Sequence, residues 1–284
     1  MSDAPDPRLA AENRDRYLEL LKLALCHALW DEPGLPLATR DYKRGLLRRL
    51  AVRGVERAFA RLGWRVFERL EPDAGRSGRK WALQAHSMIG VDRMEHLRRC
   101  VEQVLAEDVP GDLVETGVWR GGACVFMRGV LAAHGVSDRR VMLADSFAGL
   151  PPPDPERYPA DAGDRHHQKR FLAVTEAEVE ANFRAFDLWD DQVVLVPGWF
   201  ADTLPRFPSE RIAVLRLDGD LYQSTREALE HLYPRLSVGG WCIVDDYGLA
   251  PCARAVDDYR REHGIEEPLE KIDWTGVAWR RALG

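Results

Sequence analysis

Four aspartates follow two apolar runs in the C-terminal half of the chain. Asp218 and Asp220 end the run over 212–220, and Asp245 and Asp246 lie within the run over 240–248. If these runs are neighbouring parallel strands, about 4.8 Å apart, three or four of these carboxylates converge at one edge of a sheet. Carboxylates this close do not all stay ionised without a cation, and an all-oxygen ligand set favours Mg²⁺, Ca²⁺ or Mn²⁺. The pattern predicts a metal site; the alternative is that one aspartate only caps a helix.

A glycine-rich turn and an acidic residue follow two earlier apolar runs. Gly117 ends the apolar run over 112–117, and Gly121 and Gly122 follow it closely. Glycine at these positions permits a tight turn and close approach of a ligand to the backbone. Their spacing is not G-x-G-x-x-G, which weakens a dinucleotide interpretation. Asp145 ends the second run, where an acid can accept hydrogen bonds from ribose hydroxyls. Together they indicate a nucleoside site, although such turns are common and Asp145 could instead cap the next turn.

Two further features lie at the same predicted edge. Trp199 and Phe200 follow Gly198, so that one ring could flank an adenine; packing of at least one ring in the core is the competing interpretation. The loop over 150–168 is long and proline-rich, which is typical of a lid over a site. Its His166 and His167 could contact a substrate or act as a base, although exposed loop histidines usually do neither.

The elements that must position these residues are short strands alternating with helices. Apolar runs cover 112–117, 140–147, 192–198, 212–220 and 240–248. This alternation is typical of βαβ units and predicts an α/β fold with a doubly wound parallel sheet. Capping boxes mark helix starts at Thr175 and Ser224. After a helix over 251–263, the segments 268–273 and 277–281 are joined by a short hairpin connection, so the sheet is expected to end with an antiparallel strand.

Residues 1–80 are expected to form a helical extension, and residues 81–284 the main domain. Apolar spacing predicts helices over 17–30 and 92–107, and polar residues 71–80 a linker. The segment 40–69 has ten basic and three acidic residues, a local charge of +7, with arginines every four residues from Arg49 to Arg69. This pattern predicts an amphipathic helix or helix pair, broken near Gly54 or Gly63. We expect a solvated face packed on the main domain or on a second subunit; the alternative is a patch for an anionic membrane, a nucleic acid or an acidic partner.

Composition narrows the class of protein. The 284 residues carry a formal charge of −6, which argues against a general nucleic-acid binder. No leader-like or membrane-spanning apolar segment is present in the sequence, so no membrane association is expected. Five cysteines without a C-x-x-C pair fit neither a disulfide framework nor a zinc knuckle. These features predict a soluble, cytoplasmic protein.

Six motifs in order resemble those of the macrocin O-methyltransferase family. They are Ser87-Met88-Ile89-Gly90, the segment from Glu115 to Gly122, Asp145-Ser146-Phe147, the segment from Pro197 to Pro205, the segment from Leu217 to Tyr222, and Val244-Asp245-Asp246-Tyr247. The resemblance implies a Rossmann-like class I methyltransferase with a mostly parallel seven-stranded sheet. It also implies S-adenosylmethionine as methyl donor, Mg²⁺ as metal, a deoxysugar or phenol hydroxyl of an antibiotic natural product as acceptor, and a homodimer or higher homo-oligomer. In this family N-terminal elements help to form the acceptor pocket and the subunit contacts.

The same resemblance assigns roles to individual residues. Asp218, Asp245 and Asp246 match the metal ligands, and Asp218 also matches the general base. The cofactor would be held near its amino acid part by Glu115, Gly117, Trp119 and Arg120, with Ser87 and Met88 close by; at its ribose by Asp145; and at its adenine by Trp199 and Phe200. The cofactor-binding set further includes Val118, Gly121, Ser146, Phe147, Gly198 and Asp218.

Two other functions are compatible with parts of the sequence. An NAD-dependent oxidoreductase would share the glycine turn and the acid at Asp145, but would leave the carboxylate cluster without a role. A non-catalytic interaction protein would use the basic segment 40–69 as its binding surface. Which of Asp218 and His167 acts as the base stays open from the sequence.

Overall fold

The structure is a computed structural model that describes residues 6–30, 35–36, 45–68, 76–79 and 81–282. Nine strands lie in this part of the chain: β1 (Leu35–Pro36), β2 (Phe67–Glu68), β3 (Asp112–Thr116), β4 (Val141–Asp145), β5 (Val193–Pro197), β6 (Ile212–Leu217), β7 (Leu236–Val244), β8 (Glu270–Lys271) and β9 (Val277–Arg280). The α-helices are α1 (Pro7–Leu25), α2 (Leu46–Ala60), α3 (Gly90–Ala106), α4 (Gly122–Ala133), α5 (Glu176–Ala185), α6 (Phe200–Thr203), α7 (Tyr222–Leu232) and α8 (Ala250–Glu262).

Seven of these strands form one sheet in the order β5-β4-β3-β6-β7-β9-β8. The strands from β5 to β7 in this order are mutually parallel, whereas β9 is antiparallel to both of its neighbours. The predicted doubly wound sheet with a terminal antiparallel strand is therefore confirmed. Strands β1 and β2 pair with each other in a separate antiparallel sheet.

Apolar layers cover the main sheet on both faces. One layer combines side chains of α1, α3, α4 and α5, and the other combines side chains of α7 and α8 with the opposite face of the strands. Every residue of β3 and of β6 is buried. Since burying one leucine fully stabilises the fold by roughly 1.5–3 kcal/mol, strands covered on both faces are almost continuously apolar. The charged residues Glu115 and Arg216 of these two strands lie at the site described below, whereas Asp112, at the start of β3, pairs with Arg140.

Helix α1 begins ten residues before the predicted start at Tyr17 and ends at Leu25, before the predicted end at Trp30. Asp6 caps it by accepting a hydrogen bond from the backbone N–H of Arg8, and Pro7 occupies the first helical turn. Leu18 and Leu25 are fully buried and belong to the core shared with α3 and α4. Helix α1 thus packs directly on the main domain, while the division of the chain at residue 80 stays a prediction.

Residues 45–67 contain part of the predicted basic segment. Helix α2 continues through Gly54 and ends at Ala60, shortly before Gly63, whose φ is +74°. Leu47 is 84% exposed, and the rings of Phe59 and Trp64 stack with centroids 6.0 Å apart. Residues 40–44 and 69 of the basic segment, and residues 71–75 and 80 of the predicted linker, lie outside the described residues.

One of the two predicted capping boxes is confirmed and the other is wrong. Thr175 caps α5 and forms a reciprocal capping box with Glu178. Ser224 lies inside α7, which begins at Tyr222. Its cap comes from a distant loop: Asp161 accepts hydrogen bonds from the backbone N–H groups of Tyr222 (2.7 Å) and Gln223 (3.0 Å). A carboxylate suits this place because it satisfies unpaired donors and complements the helix dipole.

Among the described helices, none combines the length and apolar character needed to cross a bilayer.

We predict that Asp161→Ala lowers the free energy of unfolding by about 1–2 kcal/mol, because α7 loses its cap. Asp161 is only 1% exposed and fixes the loop that follows β4, so cleavage within this loop should also become faster. Urea unfolding and limited proteolysis measure both effects. Glu156→Ala, at an exposed position of the same loop, is the control and should change stability by less than about 0.5 kcal/mol. Equal behaviour of the two variants would show that the Asp161 cap contributes nothing.

Candidate active site

The strand register brings the predicted site residues to one level. Thr116 of β3 pairs with Leu217 of β6, which pairs with Val244 of β7. The next residue of each strand continues the ladder, since Asp218 N–H donates to Thr116 O and Asp245 N–H donates to Leu217 O, both at 2.9 Å. Gly117, Asp218 and Asp245 therefore lie side by side at the carboxyl edge of the sheet, as the sequence predicts.

Three carboxylates converge at this edge. Asp218, Asp245 and Asp246 each offer an oxygen, and these oxygens all lie within 4.8 Å of one another. Asp246 also accepts a hydrogen bond from the backbone N–H of Asp220 at 3.1 Å. Carboxylate oxygens are the donors that Mg²⁺ prefers, so the residues present fit a hard divalent cation.

Two buried arginines contact the cluster. Arg216 donates to Asp218 Oδ2 at 2.8 Å and also contacts carboxylate oxygens of Glu115 and Asp245. The other oxygen of Asp245 is contacted by Arg93 of α3, whose Nε lies 3.1 Å from Asp273. Opposite charges thus partly neutralise the carboxylates within the protein itself.

The protonation of these groups is strongly perturbed. Burial, followed by the charge of Asp245, raises the pKa of Asp218 to about 7, although Arg216 acts in the opposite direction. Burial and the neighbouring charges of Asp220 and Asp218 raise the pKa of Asp246 well above its ordinary value. Strong perturbation by burial and by specific charges is characteristic of functional sites.

A cavity of about 480 Å³ opens beside the cluster, within the usual range for small-molecule sites. Nine predicted cofactor residues line it: Met88, Gly117, Trp119, Asp145, Ser146, Gly198, Trp199, Phe200 and Asp218. The lining does not include Ser87, Glu115, Val118, Arg120, Gly121 or Phe147, nor the metal candidates Asp245 and Asp246. The predicted residues thus divide into those that border the cavity and those that lie behind its wall.

Backbone geometry at the glycine turn orients the residues there that border the cavity. Gly117 has φ of +84°, and Trp119, at φ +48°, takes a left-handed conformation that is uncommon for a non-glycine residue. Asp145 fixes the turn by accepting hydrogen bonds from the N–H groups of Val118 (2.6 Å), Trp119 (3.3 Å) and Phe147 (2.8 Å). The turn-capping interpretation of Asp145 is therefore confirmed, while its side chain still borders the cavity.

The two predicted adenine-flanking aromatics differ in environment. Trp199 is 41% exposed, whereas Phe200 is partly buried and packs against the core layer beneath α7. Core packing of one of the two rings, the competing interpretation, therefore holds for Phe200. Both residues nevertheless line the cavity.

Two of the residues behind the wall, Arg120 and Ser87, make contacts to neighbouring backbone. Arg120 donates to the carbonyls of Leu83 (2.7 Å) and Ala85 (2.8 Å), and its guanidinium lies 4.5 Å from the Trp119 ring centroid. Ser87 is buried, and its hydroxyl accepts a hydrogen bond from the N–H of Ile89 at 3.3 Å.

The long loop after β4 does lie against the site. Its residues Leu150, Pro151 and Pro152 line the cavity, and Phe171 O accepts a hydrogen bond from Trp119 Nε1 at 2.8 Å. Neither loop histidine borders the cavity. His166 pairs with Asp164 at 2.5 Å, and the Nδ1 atom of His167 is buried without a hydrogen-bond partner.

Sequence reasoning missed Arg216, Arg93 and Asp161. Arg216 has a recognisable signal, since it is the one charged residue within the apolar stretch from Ile212 to Leu217. Arg93 and Asp161 have no such signal, because an amphipathic helix and a polar loop both contain charged residues routinely.

Comparison with known proteins gives a consistent result. The macrocin-O-methyltransferase (TylF) family profile matches residues 14–281. A demethyldecarbamoylnovobiocin O-methyltransferase of Streptomyces niveus is 55% identical over 209 residues, covering 72% of this chain and 79% of that protein. An 8-demethyl-8-(2,3-dimethoxy-alpha-L-rhamnosyl)-tetracenomycin-C 4'-O-methyltransferase of Streptomyces olivaceus is 54% identical over 275 residues, 96% of this chain and 95% of that protein. The solved structure of the O-methyltransferase NovP superposes with a TM-score of 0.81 at 44% identity, covering 95% of this chain and all of that chain.

We predict that Gly117→Ala disrupts the site, because a Cβ there would lie 1.7 Å from the Asp218 carbonyl oxygen. Gly135→Ala is the matched control: its φ is also positive, +66°, but a Cβ there meets no atom within 4 Å. The control should lose about 1–2 kcal/mol of stability for its backbone conformation alone. Gly117→Ala should lose more and should also lose S-adenosylhomocysteine binding, measured by urea unfolding and calorimetry. Equal stability losses with retained binding would contradict the close approach.

Proposed function

Because the chain belongs to the macrocin O-methyltransferase family and is an O-methyltransferase of antibiotic natural-product biosynthesis, we propose that it methylates a deoxysugar hydroxyl of a glycosylated natural product. The methyl donor would be S-adenosylmethionine, and the reaction would depend on Mg²⁺. The observation that carries this proposal is the carboxylate cluster at the edge of a ligand-sized cavity.

The cavity offers groups that suit the ribose and the adenine of the methyl donor. S-Adenosylmethionine supplies a methyl group on a sulfonium, which is electrophilic without further activation by the protein. Asp145 has about four acceptor positions, and backbone N–H groups use three of them. The Ser146 hydroxyl also lies 3.5 Å from Asp145 Oδ1, but it has a single proton and donates it to Gly149 O at 2.6 Å. One acceptor position on Asp145 would therefore be open to a ribose hydroxyl. The exposed Trp199 ring would cover the adenine.

Asp218, Asp245 and Asp246 would hold the metal. A bound Mg²⁺ lowers the pKa of a hydroxyl that it coordinates, which makes an alcohol a competent nucleophile near neutral pH. Asp218 would take the proton of the acceptor hydroxyl. Arg216 contacts Oδ2 of Asp218, so Oδ1 is the oxygen that would take this proton.

Polar residues beside the cluster favour a sugar over a phenol as acceptor. Gln223 and Glu227, one turn apart on α7, line the cavity and are hydrogen-bonded to each other at 2.9 Å. Ser224 between them also lines it. Such a set of donors and acceptors matches the several hydroxyls of a sugar. The name of the Streptomyces olivaceus relative contains a dimethoxyrhamnosyl group, which supports the same choice.

The remaining predictions concern the oligomeric state, the cellular location and the two rival functions. We expect a homodimer or higher homo-oligomer in the cytoplasm, without nucleic-acid or membrane partners. The family membership argues against a dehydrogenase and against a non-catalytic interaction protein. Calorimetry with S-adenosylhomocysteine and NAD as separate titrants tests the first rival, and binding of S-adenosylhomocysteine alone is expected.

We predict that Asp218→Asn abolishes Mg²⁺-dependent methyl transfer and leaves S-adenosylhomocysteine affinity within about twofold, because the change keeps the shape but removes a ligand and base. Turnover and calorimetry measure the two effects. His167→Ala is the control and should keep its turnover. Loss of turnover in His167→Ala together with full activity of Asp218→Asn would assign the base to the loop histidine instead.

The acceptor class can be tested with one glycoside and its aglycone. Incubation with S-adenosylmethionine and Mg²⁺ should add one methyl group to a deoxysugar glycoside of an aromatic polyketide, and none to the phenolic aglycone, as measured by mass spectrometry. Glu227→Gln should raise KM for the glycoside without changing KM for S-adenosylmethionine. Methylation of the aglycone alone would favour the phenol.

A further inference from the structure

A buried arginine occupies the centre of the carboxylate cluster. Arg216 is 1% exposed, and its guanidinium contacts Glu115, Asp218 and Asp245. These three residues lie in or directly after three neighbouring strands. Glu115 and Arg216 are direct partners in the register of β3 and β6. Asp218 is two residues beyond Arg216, so both side chains lie on the same face of the sheet.

Burying this charged group costs free energy, and a role in the site would account for its presence. A charge inside a doubly covered parallel sheet loses its hydration, and a buried ion pair often stabilises a fold no more than apolar residues of the same volume. Removal of one partner, however, leaves uncompensated buried charge. Glu115 is 2% exposed, and its second oxygen accepts a hydrogen bond from Cys124 Sγ at 2.7 Å, so solvent does not help to neutralise it.

The contacts divide Arg216 between the metal candidates and Glu115. Its Nη1 atom is shared between Asp218 and Glu115, while Nη2 contacts Asp245. Asp245 is further held by Arg93, but no arginine contact to Asp246 occurs in the described part of the chain. If the contact to Glu115 weakened, Arg216 would interact more strongly with Asp218. It would then compete with a metal ion for the Asp218 carboxylate.

We propose that Arg216 is a positioning residue that acts as a built-in counter-cation: it keeps Asp218 and Asp245 in place without metal, and Glu115 sets how strongly it competes with Mg²⁺. This inference rests on the proposed metal site. Glu115 would then act behind the cavity wall, through Arg216, rather than by contacting the methyl donor. The fold would stay stable whether or not the metal is bound.

The first test is Glu115→Gln, which keeps the shape of the side chain and removes one charge. Mg²⁺ affinity, measured by calorimetry on the full chain, should fall about tenfold, the lower end of the effect of losing a residue that supports metal ligands from outside, because Glu115 acts through Arg216. S-Adenosylhomocysteine affinity should stay within about twofold, and the melting temperature in EDTA should not fall. Asp112→Asn is the matched control, because Asp112 is a buried carboxylate on the same strand, paired with Arg140 at 2.7 Å and distant from the cluster. It should leave Mg²⁺ affinity unchanged.

The second test is Arg216→Met, with Arg216→Lys as the conservative variant. Without the guanidinium the carboxylates repel one another, so Arg216→Met should melt at a lower temperature in EDTA and should gain more from added Mg²⁺ than the wild type does. Arg216→Lys should restore part of the metal-free stability, because it returns the charge without the bridging geometry. If Arg216→Met does not fold, the double variant Glu115→Gln/Arg216→Met, with the net charge of the cluster restored, should fold.

Three results would overturn the inference. They are an unchanged Mg²⁺ affinity in Glu115→Gln, a loss of S-adenosylhomocysteine affinity in that variant with Mg²⁺ affinity retained, and a destabilised Arg216→Met that gains no more from Mg²⁺ than the wild type. Absence of Mg²⁺ binding by the wild type would instead reject the metal site of the proposed function, and this inference with it. The failures of the two proposals are therefore distinguishable.

Discussion

The site depends on one constraint, which is the repulsion among carboxylates. These carboxylates lie close together because the carboxyl ends of β3, β6 and β7 are at the same level of the sheet. Parallel pairing brings Asp218 and Asp245 to adjacent positions, with Asp246 next in the chain. Charges this close in a poorly hydrated place need a compensating cation. The chain supplies Arg216 and Arg93 for part of this charge, while Asp246 has no arginine contact in the described part of the chain. Under the proposals made above, the same buried network would serve both the binding of a divalent ion and the stability of the fold without it.

The loop after β4 links the site to the opposite layer of the fold. Asp161 caps α7, and the first turn of that helix carries Gln223 and Ser224 into the cavity lining. Further along, Phe171 O binds the indole of Trp119 on the glycine turn. The loop therefore contacts both the glycine turn and the first turn of α7, and both of these border the cavity. Its position depends on these hydrogen bonds as well as on hydrophobic packing.

Much of the fold and of the site was accessible from local patterns. Strand runs, the antiparallel end of the sheet and the convergence of Asp218, Asp245 and Asp246 follow from periodicity and from the geometry of parallel strands. The capping box at Thr175 was correct because all of its partners lie within four residues. The one at Ser224 was wrong because Asp161, about 60 residues away in sequence, supplies the cap instead. A local motif cannot register a competing partner from elsewhere in the chain.

The sequence by itself determined which chemical groups are available: carboxylates after two strands, a glycine turn, the acid Asp145 and aromatics at one edge. Only the tertiary structure decided how the charges are shared. Glu115 was assigned to the cofactor by resemblance, yet its neighbours are Arg216 and Cys124, and it does not border the cavity. The physical reason is that sequence patterns record the type and spacing of residues, whereas the balance of buried charge depends on partners that meet only when separate strands, helices and loops pack together.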